Sequence, residues 1–178
     1  MLATVIVIFA AAAAPIAAPL QDSTALPRTD SAPAPPTLEQ MRYLEGLRSV
    51  ARGAAQLRDG IDRVARTQSG RDTLRQRLAG RRLGGLCTTA RTFMASGRPR
   101  MQPSAYADSM RIVARQLTTR VDSLLKFLPT CETTAGKKPA SVAADLLNRM
   151  RAYETALAAF RAGLAVPRTD SIKTPSRE

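Results

Sequence analysis

Residues 37–64 read TLEQMRYLEGLRSVARGAAQLRDGIDRV, and the spacing of their apolar side chains decides the fold class. Leu47, Val50, Ala54, Leu57, Ile61 and Val64 recur at alternating steps of three and four. That is the period of one helical face, and such a seam needs a second helix to cover it. Thr37 and Gln40 open the stretch as a capping box, in which the Thr37 hydroxyl accepts from the Gln40 backbone N–H and the Gln40 side chain reaches back. Gly46, Gly53 and Gly60 step by seven beside the seam. A glycine inside a helix costs about 1 kcal/mol against alanine. Close approach of a neighbouring helix would offset that cost; the competing reading is free scatter of glycine in an Ala/Arg/Gly-rich composition.

Working outward, prolines punctuate the chain, and none lies between Pro36 and Pro99, between Pro103 and Pro129, or between Pro139 and Pro167. The second window carries Tyr106, Met110, Val113, Leu117, Val121, Leu124 and Leu128, and the third Val142, Leu146, Met150, Tyr153, Leu157, Phe160 and Leu164. Both are helical stripes, and nothing reads as strand. Aromatic residues are only 4% of the chain, so the core is built from aliphatic side chains. The expectation is an all-α, antiparallel helical bundle of three to four helices over residues 37–166, its stripes forming an ordinary packed core. Acid-to-base pairs four residues apart (Asp59 to Arg63, Asp62 to Arg66, Asp122 to Lys126, Asp145 to Arg149) are expected along the exposed helical faces.

The flanks differ in character. The first 20 residues, MLATVIVIFAAAAAPIAAPL, carry no charged side chain. Residues 1–18 read as a secretory signal peptide cleaved near Ala17 or Ala18, and the expected location is periplasmic or secreted. An uncleaved N-terminal membrane anchor is the alternative, since no Lys or Arg precedes the apolar run. Residues 19–36 and 167–178 are rich in Pro, Ser, Ala and charge, and read as a disordered linker and a disordered tail. They share a string, Ala25-Leu26-Pro27-Arg28-Thr29-Asp30-Ser31 recurring as Ala165-Val166-Pro167-Arg168-Thr169-Asp170-Ser171. Coincidence between two biased segments is the favoured reading over a duplicated docking peptide.

Two cysteines, Cys87 and Cys131, in an exported chain suggest one disulfide. Length arithmetic then bears on the topology. With a turn at Thr67 to Gly70 and a second helix running to about Ala95, a simple hairpin to the helix starting at Ser104 would leave the cysteines about 27 Å apart. The layout expected instead is a long first helix, kinked near Gly70, that reverses at Gly84-Gly85. A short descending helix (Leu86 to Ala95) and an extended stretch (Ser96 to Pro103) would follow, and the helix from Ser104 to Leu128 would bring Cys131 back to Cys87.

Charge is concentrated. The chain carries 27 Lys plus Arg against 14 Asp plus Glu, a formal net charge of +13. Between Arg63 and Arg100 stand Arg63, Arg66, Arg71, Arg75, Arg77, Arg81, Arg82, Arg91, Arg98 and Arg100 with a single acid, Asp72. These arginines bracket Leu74 and Leu78, and they are the candidate anion-binding residues because guanidinium groups fork phosphate and carboxylate. The competing reading is a basic surface that serves solubility.

The chain has no histidine, which removes Ser/His/Asp and Cys/His nucleophilic mechanisms and the commonest metal ligand. No catalytic residue, metal site or cofactor is expected. Asp59 and Asp62 each have their own arginine and read as surface ion pairs. No aromatic residue lies between Tyr43 and Phe93 to stack a base, which argues against sequence-specific nucleic-acid recognition. The functional expectation is an exported, non-enzymatic helical protein that binds an anionic surface or acidic protein through the arginine segment, with peripheral membrane contact open to it. The alternative is a periplasmic helical adaptor or holdase-like chaperone that takes apolar client segments on its Ala/Gly-lined seam.

Overall fold

The capping box closes as its residue types require: the Thr37 N–H donates to Gln40 Oε1 at 3.0 Å and the Gln40 N–H to Thr37 Oγ1 at 3.2 Å. From it runs α1, Leu38–Gln68. A computed structural model describes residues 35–68 and 70–165. The expected leader, linker and tail, with the string shared between residues 25–31 and 165–171, lie outside this range, apart from the linker's end at residues 35–36 and Ala165. Three more helices follow, α2 (Thr73–Gly97), α3 (Asp108–Thr134) and α4 (Pro139–Ala165), with two single 3-10 turns at Arg98–Arg100 and Pro103–Ala105. The described residues contain no strand. Each helix runs opposite to the one before it, and α1 packs on α2, α2 on α3, α3 on α4 and α4 back on α1. The architecture is an all-α, four-helix bundle.

The seam of α1 faces this interior: Val50, Ala54, Leu57, Ile61 and Val64 are buried and Leu47 is half-buried. Leu117, Val121, Leu124 and Leu128 enter from α3, and Val142, Leu146, Met150, Tyr153 and Phe160 from α4. At the end where α1 begins, three aromatic rings close the core. Tyr43 stacks on Phe160 with centroids 5.2 Å apart, and Tyr106 meets both edge-on. The Tyr43 hydroxyl donates to the Ala114 carbonyl at 3.1 Å.

The glycine ladder lies against α2. A Cβ on Gly46 would stand 2.5 Å from the Gly97 carbonyl oxygen, and one on Gly53 would stand 2.8 Å from that of Ala90. A Cβ on Gly60 would meet the Leu83 side chain at 2.6 Å. Leu83, Ala90 and Gly97 also step by seven, so two strips of matching period meet in antiparallel register. The backbones approach as closely as they do because these three sites lack Cβ atoms.

Cys87 and Cys131 form a disulfide, with Cα atoms 6.2 Å apart. The expected route to it is corrected. The chain reverses between Gln68 and Thr73, not at Gly84-Gly85, and α2 continues unbroken through both glycines to Gly97. Gly84 is used for close approach instead: a Cβ there would stand 3.1 Å from the Glu132 carbonyl oxygen. The two cysteines still meet because the link from α2 to α3 is no tight hairpin. Cys87 stands about 15 Å above the end of α2, and Cys131 about 34 Å above the start of α3. The two 3-10 turns rise about 2 Å per residue, about 12 Å in all, and the residues between and after them, of which Gln102, Tyr106 and Ala107 are extended, supply the rest of the difference of about 20 Å. The run from Ser96 to Pro103, expected as extended chain, is mostly helix end and 3-10 turn. The helix beyond it runs past Pro129, which sits inside α3.

Of the four expected helical ion pairs, only Arg63 to Asp59 closes among the described residues, at 2.9 Å. Asp122 turns instead to Arg98 on the neighbouring segment, accepting from Nε at 2.6 Å and Nη2 at 2.9 Å. Arg149 donates to Ser123 Oγ at 2.8 Å and lies over the Phe127 ring.

Candidate functional site

Of the ten arginines of the sequence segment, Arg63 and Arg66 stand on the last turns of α1, Arg71 in the turn that follows, Arg75, Arg77, Arg81, Arg82 and Arg91 on α2, and Arg98 and Arg100 in the 3-10 turn beyond it. Arg91 pairs with Glu132 of α3, Arg98 forks Asp122 of α3, and Arg100 lies 3.8 Å from Glu45 of α1. Arg91 Nε stands 2.8 Å from Glu132 Oε1 in a half-buried ion pair. Asp122 holds the Arg98 guanidinium above its ordinary pKa through a side-chain hydrogen bond. These three arginines bind the helices to one another. At the opposite end of the bundle, Arg63 of α1 and Arg75 of α2 have carboxylate partners within a turn of themselves, Asp59 and Asp72. Arg66, Arg71, Arg77, Arg81 and Arg82 are exposed and make no ion pair among the described residues.

Local chemistry fixes this end of the bundle. Asp72 caps α2, its Oδ1 accepting from the backbone N–H groups of Leu74 and Arg75 at 3.0 Å each. Gln76 Nε2 donates back to the Gly70 carbonyl at 2.9 Å, closing the turn from α1. The turn from α3 to α4 lies alongside. Its Thr134 carbonyl accepts from the backbone N–H groups of Lys137 and Lys138 at 2.9 Å each. Gly80 lets it dock, because a Cβ there would collide with the Ala135 carbonyl oxygen.

At 3.6 residues per turn, Leu74 and Leu78 fall on the outward face of α2, with Arg77 and Arg81 along one flank and Arg75 and Arg82 along the other. Leu74 is 75% exposed and Leu78 48%. Open clefts lie on either side. One, of about 430 Å³, is lined by Arg81, Gly84, Thr88, Glu132, Thr133 and Lys137 among others. Its counterpart toward α1, about 320 Å³, is lined by Asp59, Arg63, Arg82, Gly85, Leu86 and Thr89. The threonine hydroxyls of the first cleft donate to carbonyls of their own helices, Thr88 to Gly84 and Thr133 to Pro129.

The arrangement offers fixed positive charge around two apolar side chains. Among the described residues no three His, Cys, Asp or Glu side chains gather to hold a metal ion, and no helix is long and apolar enough to cross a membrane. Lys137 and Lys138 were not legible as part of this corner. They stand 37 residues or more beyond the arginine segment in sequence, and the pairing of Cys87 with Cys131 is the one sequence signal that carries them beside Arg81. The chain matches no protein-family model, no curated protein and no solved structure at a significant level.

Proposed function

We propose that the protein is an exported, non-catalytic helical adaptor whose working surface is the corner formed by the start of α2 and the turn between α3 and α4. One observation carries this: Leu74 and Leu78 stand out from the bundle inside a frame of arginines, several of which have no carboxylate partner among the described residues. A solvated helix face mixes charge signs and keeps leucine inside. This face does neither, and it suits a partner that presents apolar groups beside phosphate or carboxylate. The disulfide supports an oxidising compartment, in keeping with the apolar leader. With no histidine in the chain and both cysteines oxidised, the usual nucleophile–base pairs are lacking. In the holdase variant of this reading the client would also bind at the corner, since α2 already fills the glycine seam of α1.

The test is retention on an anionic support such as heparin across a salt series. Replacing Arg71, Arg77, Arg81 and Arg82 with Gln is expected to abolish retention at about 0.15 M salt, where the screening length is about 8 Å. Helix content should stay nearly constant, because Gln and Arg have similar helix propensities. The matched control replaces Lys126, Arg149, Arg151 and Arg161, which stand among acids, and should lose much less. Equal loss in the two variants would show that only total charge is read.

A further inference from the structure

We propose that the partner met by this corner is the surface of an anionic lipid bilayer, into which Leu74 and Leu78 insert; the proposal rests on the corner being the binding surface. The shape of the corner favours a plane over a peptide. The leucines project from a convex helix face, four residues apart on one side, and neither cleft beside them is an enclosed groove of the kind that receives a helix from another protein. The two clefts that flank the face are open, and charged side chains stand in both of them. A partner that fits must be apolar just behind a sheet of negative charge, and must meet cations on both sides of the leucines at once. Arg77, Arg81 and Lys137 supply them on one side and Arg75, Arg82 and Arg63 on the other.

An interfacial helix has this composition, with leucine toward the acyl boundary and basic side chains at headgroup level. The long arginine stems can lie along the apolar layer while the guanidinium groups remain among the phosphates. Beyond Arg82 the outward face of α2 changes to Gly85, Thr88, Thr89 and Thr92, so contact is confined to its first three turns. The insertion is therefore shallow and the association peripheral, in keeping with the lack of any membrane-crossing helix among the described residues. Each basic side chain near an anionic surface raises partition about fivefold, so the free arginines and the lysine pair dominate the attraction while the leucines decide whether the target is a bilayer.

The chain contains no tryptophan, so Leu74→Trp places a single reporter at the proposed point of insertion, and Ile112→Trp a matched one near the opposite end, where Ile112 is 61% exposed. With phosphatidylglycerol-rich vesicles, the Leu74→Trp emission should shift to the blue and be quenched by brominated acyl chains. It should do neither with vesicles of phosphatidylcholine alone. The Ile112→Trp reporter should not move, whereas attachment through the leader would move it and leave position 74 unchanged, overturning the proposal. Leu74→Ser with Leu78→Ser should lower vesicle partition tenfold or more and leave heparin retention intact. Heparin retention that depends on the arginines, with no shift at position 74, would overturn the bilayer and leave an acidic protein or polymer as partner. Loss of both heparin retention and vesicle binding in the wild type would overturn the binding surface itself.

Discussion

Tyr106 and Tyr153 carry their hydroxyl groups into the core, where neither oxygen has a hydrogen-bond partner among the described residues. Burial pushes both phenols up to about 12. An unfolded phenol releases its proton near pH 10. Between about pH 10 and about pH 12 the unfolded chain therefore gives up protons that the folded chain keeps, and stability falls as pH rises through that window; below it the two states are equally protonated and the phenols contribute no slope. Replacing both with Phe makes the slope shallower, leaving the share of Tyr43, whose phenol burial also raises, and keeps neutral-pH stability within about 1 kcal/mol, because no hydrogen bond is lost. Tyr43→Phe is the contrast: it removes the bond to the Ala114 carbonyl and costs about 1 kcal/mol at neutral pH. Urea midpoints taken at about pH 7 and about pH 11 check both variants, and a double variant as alkali-sensitive as the wild type would contradict the assignment.

On the scale of the helices, glycines carry two opposite meanings, and the bundle separates them. Gly46→Ala would drive a methyl group against the Gly97 carbonyl, a backbone atom that cannot step aside, and is expected to cost about 2 kcal/mol or more. Gly85 has nothing within 4 Å of its missing Cβ and lies on the outside of α2, so Gly85→Ala should stabilise by about 1 kcal/mol. Thermal midpoints that move in opposite directions would confirm the pair; movement in the same direction would contradict it. The same glycines explain which elements could be read in advance. The seam from Leu47 to Val64 and the stripes of α3 and α4 specify helices by period alone, since apolar side chains recurring at helical spacing mark a buried face. Gly84-Gly85 looked like a reversal, but the missing Cβ of Gly84 serves the approach to Glu132, a purpose defined only once α3 is in place. The signal that did mark the start of α2 was Asp72, an N-cap residue following Gly70-Arg71 that reads in isolation as one acid among many arginines.

For the molecule as a whole, the disulfide ties α2 to α3 across a separation of 44 residues. Replacing Cys87 and Cys131 together with Ala should lower the unfolding free energy by about 3 to 4 kcal/mol, which chemical denaturation with and without reductant would measure; a loss under about 1 kcal/mol would mean the unfolded chain is hardly constrained by the bridge. At this scale the candidate site was half legible. The excess of arginine was plain in the sequence, but its division into residues that join helices and residues left free depends on Glu45, Asp122 and Glu132, which stand on other helices. The stack of Tyr43 on Phe160 has a mechanical side. It brings the start of α1 and the finish of α4 together at one pole, so a molecule pulled by these two points is loaded at that stack first. The helices then peel apart turn by turn, as a zip opens, without sliding past each other along their lengths. While the bridge is intact, the residues it encloses stay out of the stretched thread, which comes out about 150 Å shorter than the reduced one.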